Sequence, residues 1–404
     1  MARITPPKYV KHIMITLQAR GHAVCLVGGC VRDMILGVQP QDWDICTSAL
    51  PEQVMEIFPN SRPTGLKHGT VTVTENSRSV EVTTFRSEGE YTDHRHPDSV
   101  SFVGDLTADL SRRDFTMNAI AVHTDGLVSD PFGGMDDIKN KLIRCVGDPE
   151  KRFEEDALRM FRAIRFSARL GFAIDPETRA AIGKKAPLAA ALAAERVRDE
   201  TEKILLTRQP ELIFDLISAG LLDRYLLRRL SDDALLRRIS ALPRKALPRW
   251  AAFCRILQQN GCIGSPTDFL LSLRLDSRTI RCCADCAALL EQAPPDSNVE
   301  WKRLLSRKGV DTVTCAAQCS DALRGGESQK ALKAVLKSGE CFSMKHLAVT
   351  GDDLLALGIH GRRPAGAGHT RAAAGRDAQI SAGVCDGIPG EQQAGAAFVP
   401  GKIF

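Results

Sequence analysis

Apolar positions recur every three to four residues from Tyr9 to Arg20, which predicts a helix. His22 to Val27 is then a short apolar run that ends on Gly28-Gly29 and reads as a buried strand. A second short helix is expected from Val31 to Leu36. Asp42 to Thr47 reads as a strand. Thr70 to Thr74 and Val80 to Phe85, joined by Glu75-Asn76-Ser77-Arg78, read as an antiparallel hairpin. The first 120 residues are therefore α+β. From Glu154 the strand signals give way to Ala, Leu, Arg and Glu at helical spacing through about Leu357. After Gly361 the chain turns to Gly, Ala and Arg with almost no periodic apolar face. Such a segment buries too little surface to offset its ordering entropy. Residues 361–404 are expected to form a poorly packed, atypical C-terminus, and the abrupt change suggests either a shift of reading frame or a divergent terminus there.

At 404 residues the chain has room for more than one core. A hydrophobic content of 44% with 25% charged residues is ordinary for a globular protein, and no apolar stretch of about 18 residues offers a bilayer span. The N-terminal residues lack the apolar core of a secretory signal, so the thirteen cysteines are expected to stay reduced in a cytoplasmic protein. Cys283 and Cys286 make a lone CxxC, and Cys315 and Cys319 lie one helical turn apart. Neither has a second ligand pair at zinc-finger spacing, so no structural metal is expected. A net charge of +5 neither demands nor excludes nucleic acid.

The chemistry-bearing residues begin at Asp42-Trp43-Asp44. Two carboxylates two apart on a strand project from one face, where together they can chelate a hard cation. A lone pair of this kind also suits an exposed strand edge, so its neighbours matter. Gly28-Gly29, between strand and helix, lets backbone amides approach a triphosphate, and Arg32 follows one turn on as a charge partner. Glu81, on the second hairpin strand, can supply a third carboxylate. Carboxylates that scaffold cations activate a hydroxyl and hold a triphosphate with no protein nucleophile. Arg112-Arg113-Asp114-Phe115-Thr116-Met117-Asn118-Ala119 joins cations to an acid and an amide, suited to phosphate and ribose or to bracing a turn. Asp130-Pro131-Phe132-Gly133-Gly134 reads as a turn between the sheet and the helices.

A further helix is expected over Glu154 to Arg165, with Asp156 and Arg159 as i, i+3 neighbours on one face. An acceptor beside a donor matches the base edges of cytosine and adenine and opposes those of uracil and guanine. The same spacing also describes an ordinary surface ion pair. Arg162 and Arg165 continue the series, but each i+3 step falls about 60° short of a full turn. They are placed to meet phosphates or brace the helix.

Together the stretches LVGGCVRDMILG, DWDICTS, RRDFTMNA, DPFGG, EDALRMFRAIRF and ERVRDE, in that order, resemble the bacterial-type CCA-adding tRNA nucleotidyltransferases of the poly(A) polymerase-like superfamily. The resemblance covers residues 22 to about 206. It implies an α+β fold: a nucleotidyltransferase head with a small mixed sheet over residues 1–145, followed by all-α regions. These are a neck with nucleotide-recognition helices over 146–206 and a tRNA-binding body and tail over 207–360. It also implies that C, C and A from CTP and ATP are added to the 3′ end of tRNA. Mg²⁺ would be held by Asp42 and Asp44 with Glu81 assisting. The nucleotide would be bound by Gly28, Gly29, Arg32, Arg113, Asp156, Arg159, Arg162 and Arg165. Gly65 to Thr70 follows the CCA-adding pattern rather than that of bacterial poly(A) polymerases. Glu88 to Val103, with Tyr91, Asp93, Arg95 and Asp98, resembles the flexible loop needed for the final adenosine. Gly351 to Ile359 resembles the start of the family's closing motif, from which the sequence departs after Gly361. A CC-only enzyme, a poly(A) polymerase and a non-catalytic tRNA binder remain the alternatives, and the intact carboxylate pair speaks against the last.

Overall fold

A computed structural model of the chain describes residues 5–66, 69–88, 100–102, 105–342 and 351–358. The expected flexible loop, apart from its ends, and the C-terminus after residue 358 lie outside these residues. Two compact units divide between Ile280 and Arg281.

The first unit opens with helix α1, Lys8–Ala19, whose Val10, Ile13, Met14 and Leu17 are buried at the spacing the sequence displays. A seven-stranded sheet follows, built from β1 (Val24–Val27), β2 (Asp44–Thr47), β3 (Arg62–Gly65), β4 (Thr70–Glu75), β5 (Arg78–Thr84), β8 (Ala121–His123) and β9 (Val128–Ser129). Their order across the sheet is β3-β4-β5-β2-β1-β8-β9. The sheet is mixed: β2 and β5 run parallel, while the other neighbouring pairs are antiparallel. All four residues of β1 are buried, as a central strand covered on both faces requires. The β4–β5 hairpin turns on Asn76 and Ser77, both at positive φ, the conformation that two-residue hairpin turns favour.

Helices α2 (Gly29–Ile35) and α3 (Pro51–Ile57) pack on the sheet, and α4 (Leu106–Ser111) and α5 (Gly134–Lys139) follow in the chain. Between β5 and α4 a two-stranded ribbon, β6 (Arg86–Glu88) with β7 (Val100–Phe102), frames the residues that resemble the flexible loop. Cys25, Val27, Cys46, Phe85, Leu110, Ala119, Ala121 and Val146 form a core cluster that ties β1 and β2 to α4 and the segment before β8.

Helices then dominate: α6 (Pro149–Glu155), α7 (Leu158–Leu170), α8 (Pro176–Lys185), α9 (Ala194–Leu205), α10 (Ile213–Ser218), α11 (Ala246–Gln259) and α12 (Pro266–Ser272). Two departures from the sequence reading occur here. A small parallel pair, β10 (Leu142–Ile143) with β11 (Ala173–Ile174), interrupts the all-α expectation. The single helix expected from Glu154 to Arg165 is broken at Asp156, whose backbone is extended at φ −142° and ψ 102°. The Asp156 carboxylate accepts a hydrogen bond from the Leu158 amide at 3.0 Å, so this residue ends α6 and supports the start of α7. Asp156 and Arg159 are therefore not neighbours on one helical face.

Helix α13, Ser277–Leu289, crosses the division between the units. The second unit continues with α14 (Asn298–Lys308), α15 (Val310–Arg324), α16 (Ser328–Lys337) and α17 (Gly351–Ala356). Trp301, Leu305, Val313, Ala317, Leu332 and Val335 close a core among α14, α15 and α16.

Candidate active site

Asp44 opens β2 and sits in register with Glu81 of β5, the parallel neighbour. Register partners send their side chains to the same face of a sheet, so these two carboxylates share one surface. Asp42 precedes the strand, in a bend rather than on β2 itself. The sequence reading of both aspartates on one strand is corrected to that extent. The three carboxylates do not converge to within 4.8 Å of one another, a separation that three thiols elsewhere in the chain do reach.

Their mutual influence is nonetheless strong. Burial pushes the Asp44 carboxyl up to about 6, Glu81 and Asp42 push in the same direction, and the Arg113 guanidinium opposes them. A carboxylate so placed prefers a proton or a cation beside it. The donors are hard oxygens, so the set fits a hard divalent ion.

Gly28 closes this site from behind. Its φ of 76° and ψ of −141° lie where only glycine is comfortable. A Cβ there would stand 3.1 Å from Arg113 Nη1 and 3.2 Å from Asp44 Oδ2. The turn thus brings the backbone against both charges, and α2 starts at Gly29.

Arg113 is itself held by Asp109, fully buried on α4, at 3.0 Å, while Arg112 reaches the same carboxylate at 2.7 Å. Burial by itself would raise the Asp109 pKa, but the two guanidinium groups outweigh it and lower it. The Arg113 Nε, also buried, has no hydrogen-bond partner. Sequence reasoning passed over Asp109, although its i, i+3 and i, i+4 spacing to the two arginines was available as a signal.

Arg32 is 2% exposed and fully engaged. Its Nε and Nη2 donate to Asp33 Oδ1 at 2.9 and 2.6 Å, its Nη1 donates to Asn118 Oδ1 at 2.8 Å, and it stacks over Phe166 at 5.1 Å. Asn118 Nδ2 donates in turn to Asp114 Oδ1 at 3.0 Å, and Asp114 Oδ2 accepts from Arg162 Nε at 2.8 Å. Burial would raise the Asp114 carboxyl, but Arg162 and Asn118 hold it down at about 2. A continuous polar chain, Arg32–Asn118–Asp114–Arg162, therefore links the glycine turn to α7. Gly134 of the expected inter-layer turn packs so tightly on this segment that a Cβ would meet Thr116 O at 2.2 Å.

The remaining candidates line α7 and its approach. Arg159 donates from Nη1 to Glu155 Oε2 at 2.5 Å and from Nη2 to Arg112 O at 3.0 Å. Asp156 accepts from Arg196 Nη2 of α9 at 2.9 Å, and Arg165 donates to Glu200 Oε2, also of α9, at 2.5 Å. The segment ERVRDE is thus the electrostatic partner of EDALRMFRAIRF. Spacing alone could not reveal a contact spanning 40 residues, as between Asp156 and Arg196.

The comparisons with known proteins agree with this architecture. The family model of the poly(A) polymerase head domain matches residues 24–144, and that of the probable RNA and SrmB-binding site of polymerase A matches residues 171–232. A CCA-adding enzyme of Geobacillus sp. (strain WCH70) is 40% identical over 351 residues, 85% of each chain. One from Geobacillus stearothermophilus is 46% identical over 249 residues, 61% of this chain and 62% of that one. The crystal structure of the Bacillus stearothermophilus CCA-adding enzyme in complex with CTP matches with a TM-score of 0.78 at 34% identity over 94% of both chains. The glycine turn, the acidic strand end and the charged helices behind them are accordingly parts of a nucleotidyltransferase, and the chain belongs to the family of CCA-adding enzymes.

Proposed function

We propose that this enzyme adds C, C and A from CTP and ATP to the 3′ end of tRNA without a nucleic-acid template, in the cytoplasm, with Mg²⁺ as its divalent ion and pyrophosphate as its by-product. The observation that carries the reading is the meeting of Gly28, Asp44 and Arg113 at one point, where a backbone turn, a carboxylate of raised pKa and a guanidinium face the same space.

In this reading Asp42 and Asp44 hold the metal and Glu81 adds negative charge beside them. When bound, the ion supplies activation of the attacking hydroxyl and stabilisation of charge on the triphosphate. Gly28 and Gly29 allow the nucleotide phosphates to approach the backbone, and Arg113 offers them a cation already oriented by Asp109. Arg32 acts from behind, fixing α2 through Asp33 and Asn118. Asp156 accepts from, and Arg159 donates to, the base edge that cytosine and adenine share and that uracil and guanine lack. For this both must exchange their present partners, Arg196 and Glu155, for the base. Arg162 and Arg165 brace α7 through Asp114 and Glu200.

The head at 1–145 and the neck at 146–206 subdivide the first compact unit. The body and tail region at 207–360 spans the division at residue 280, and 361–404 is an appended terminus.

The test is incorporation of labelled CTP and ATP, separately and together, into tRNA transcripts ending before CCA and after CC. Addition of CCA followed by a halt is expected. CC alone identifies a CC-adding enzyme, long adenosine runs identify a poly(A) polymerase, and tRNA binding with no Mg²⁺-dependent addition overturns the enzymatic reading.

A further inference from the structure

The second unit gathers three thiols. Cys286 on α13 and Cys315 and Cys319 on α15 are all buried, with sulfur atoms within 4.8 Å of one another. Cys315 Sγ lies 3.8 Å from Cys286 Sγ. The pair on α15 is spaced i, i+4 and shares a helical face. One turn away Thr312 Oγ1 donates to Cys282 Sγ at 3.3 Å, so the two helices meet along a seam of sulfur. Zinc-finger spacing could not announce this group, because Cys286 lies 29 residues before Cys315 and meets it only by the packing of α13 on α15.

We propose that Cys286, Cys315 and Cys319 form a soft-metal site that takes one thiophilic d¹⁰ cation, Zn²⁺ or Cu⁺, and clamps α13 to α15. A buried cysteine is ordinarily a small hydrophobe, and Cys254 in the first unit, with its thiol pushed far up by burial, behaves as one. The cluster differs in its geometry. Three sulfurs converge within 4.8 Å, and zinc–thiolate bonds of about 2.3 Å in tetrahedral geometry set sulfurs about 3.8 Å apart, which is the Cys286–Cys315 separation. A bound cation would neutralise the thiolates that its binding creates in this dry interior. Soft thiolates select zinc and copper(I) over hard ions. Among the described residues no fourth Cys, His, Asp or Glu joins the group, so Cu⁺ would be three-coordinate and Zn²⁺ would complete its shell with an exogenous ligand. Each thiol releases one proton to solvent as its sulfur binds, and no oxidation state changes.

The experiment uses the full-length, reduced chain without oxygen, equilibrated with Zn²⁺ alone or Cu⁺ alone against a chromophoric chelator. One equivalent of at least one ion should be retained, with a rise in the melting temperature. Retention should weaken at least tenfold in Cys286→Ser and Cys319→Ser and persist in Cys341→Ser, whose thiol is exposed. Should the first two variants fail to fold, X-ray absorption on the unmodified loaded chain decides: three sulfurs at about 2.3 Å, alone for Cu⁺ or with one lighter exogenous ligand for Zn²⁺, support the site. No retained ion, equal retention by the serine variants, or a shell of nitrogen and oxygen overturns it.

Discussion

Asp44 carries its charge at a cost, and the sign of that cost is testable. Its folded pKa of about 6 exceeds the ordinary 3.8, so the folded chain binds this proton more tightly than the unfolded chain. Without divalent ions, stability should therefore fall as pH rises from about 4 to about 6, by up to about 3 kcal/mol, and stay lower above that window. Asp44→Asn should flatten this slope, which urea midpoints at the two ends of the window would measure. With Mg²⁺ present, the same proton competes with the cation, so nucleotide addition should decline as pH drops below about 6. Glu81→Gln removes a neighbouring charge and should move that midpoint to lower pH; an unmoved midpoint would detach Glu81 from the site. Asp42→Ala should lower incorporation by several orders of magnitude while leaving tRNA affinity near that of the parent, as read by filter binding. Asp42 and Asp44 were legible as candidates because hard-cation chemistry needs few residue types at short spacing, whereas Glu81, 37 residues beyond Asp44, is set beside it only by strand pairing. Asp109 was not singled out, since it faces the protein interior and acts by holding Arg112 and Arg113.

Between the glycine turn and α7, the polar chain through Asn118 joins elements that the sequence presents as separate motifs. Asn118 is 6% exposed and both donates and accepts within that chain. Asn118→Ala should cost about 2–3 kcal/mol by leaving Arg32 and Asp114 each short of a partner, seen as a lower urea midpoint at unchanged slope. Arg196→Ala acts elsewhere: it removes the partner that Asp156 must release to reach the base and should shift discrimination among the four nucleotides several-fold, measured as kcat/KM ratios, with little change in stability. The hairpin and α1 were readable because burial there follows simple periods of 2 and 3.6. The break at Asp156 was not, because a short acidic side chain competes with the helix for the backbone amide two residues on. Spacing suggested a pairing of Asp156 with Arg159, whereas in the fold Asp156 supports the start of α7 and pairs with Arg196, and Arg159 pairs with Glu155.

At the scale of the whole chain, two compact units imply two cooperative transitions in calorimetry. CTP with Mg²⁺ at about 100 times its dissociation constant should stabilise only the first unit, by about 2.7 kcal/mol. A shift of both transitions would mean that the units unfold together. Which long-range segments meet could not be read from local pattern, since no periodicity records that β2 lies beside β5 or that α9 faces α7. That parallel pairing has a consequence for how such a chain can vary. Thirty-six residues of helix, strand and hairpin separate Asp44 from Glu81, yet the register of β2 on β5 brings them together. Loops within the intervening stretch can lengthen or shorten without touching the acidic pair. A slip of β5 by a single residue would instead set Val80 or Val82 opposite Asp44 and turn Glu81 to the other face. Tolerance to insertion and intolerance to slippage thus coexist along one short reach of chain, the first a property of its turns and the second of its hydrogen-bonded edges.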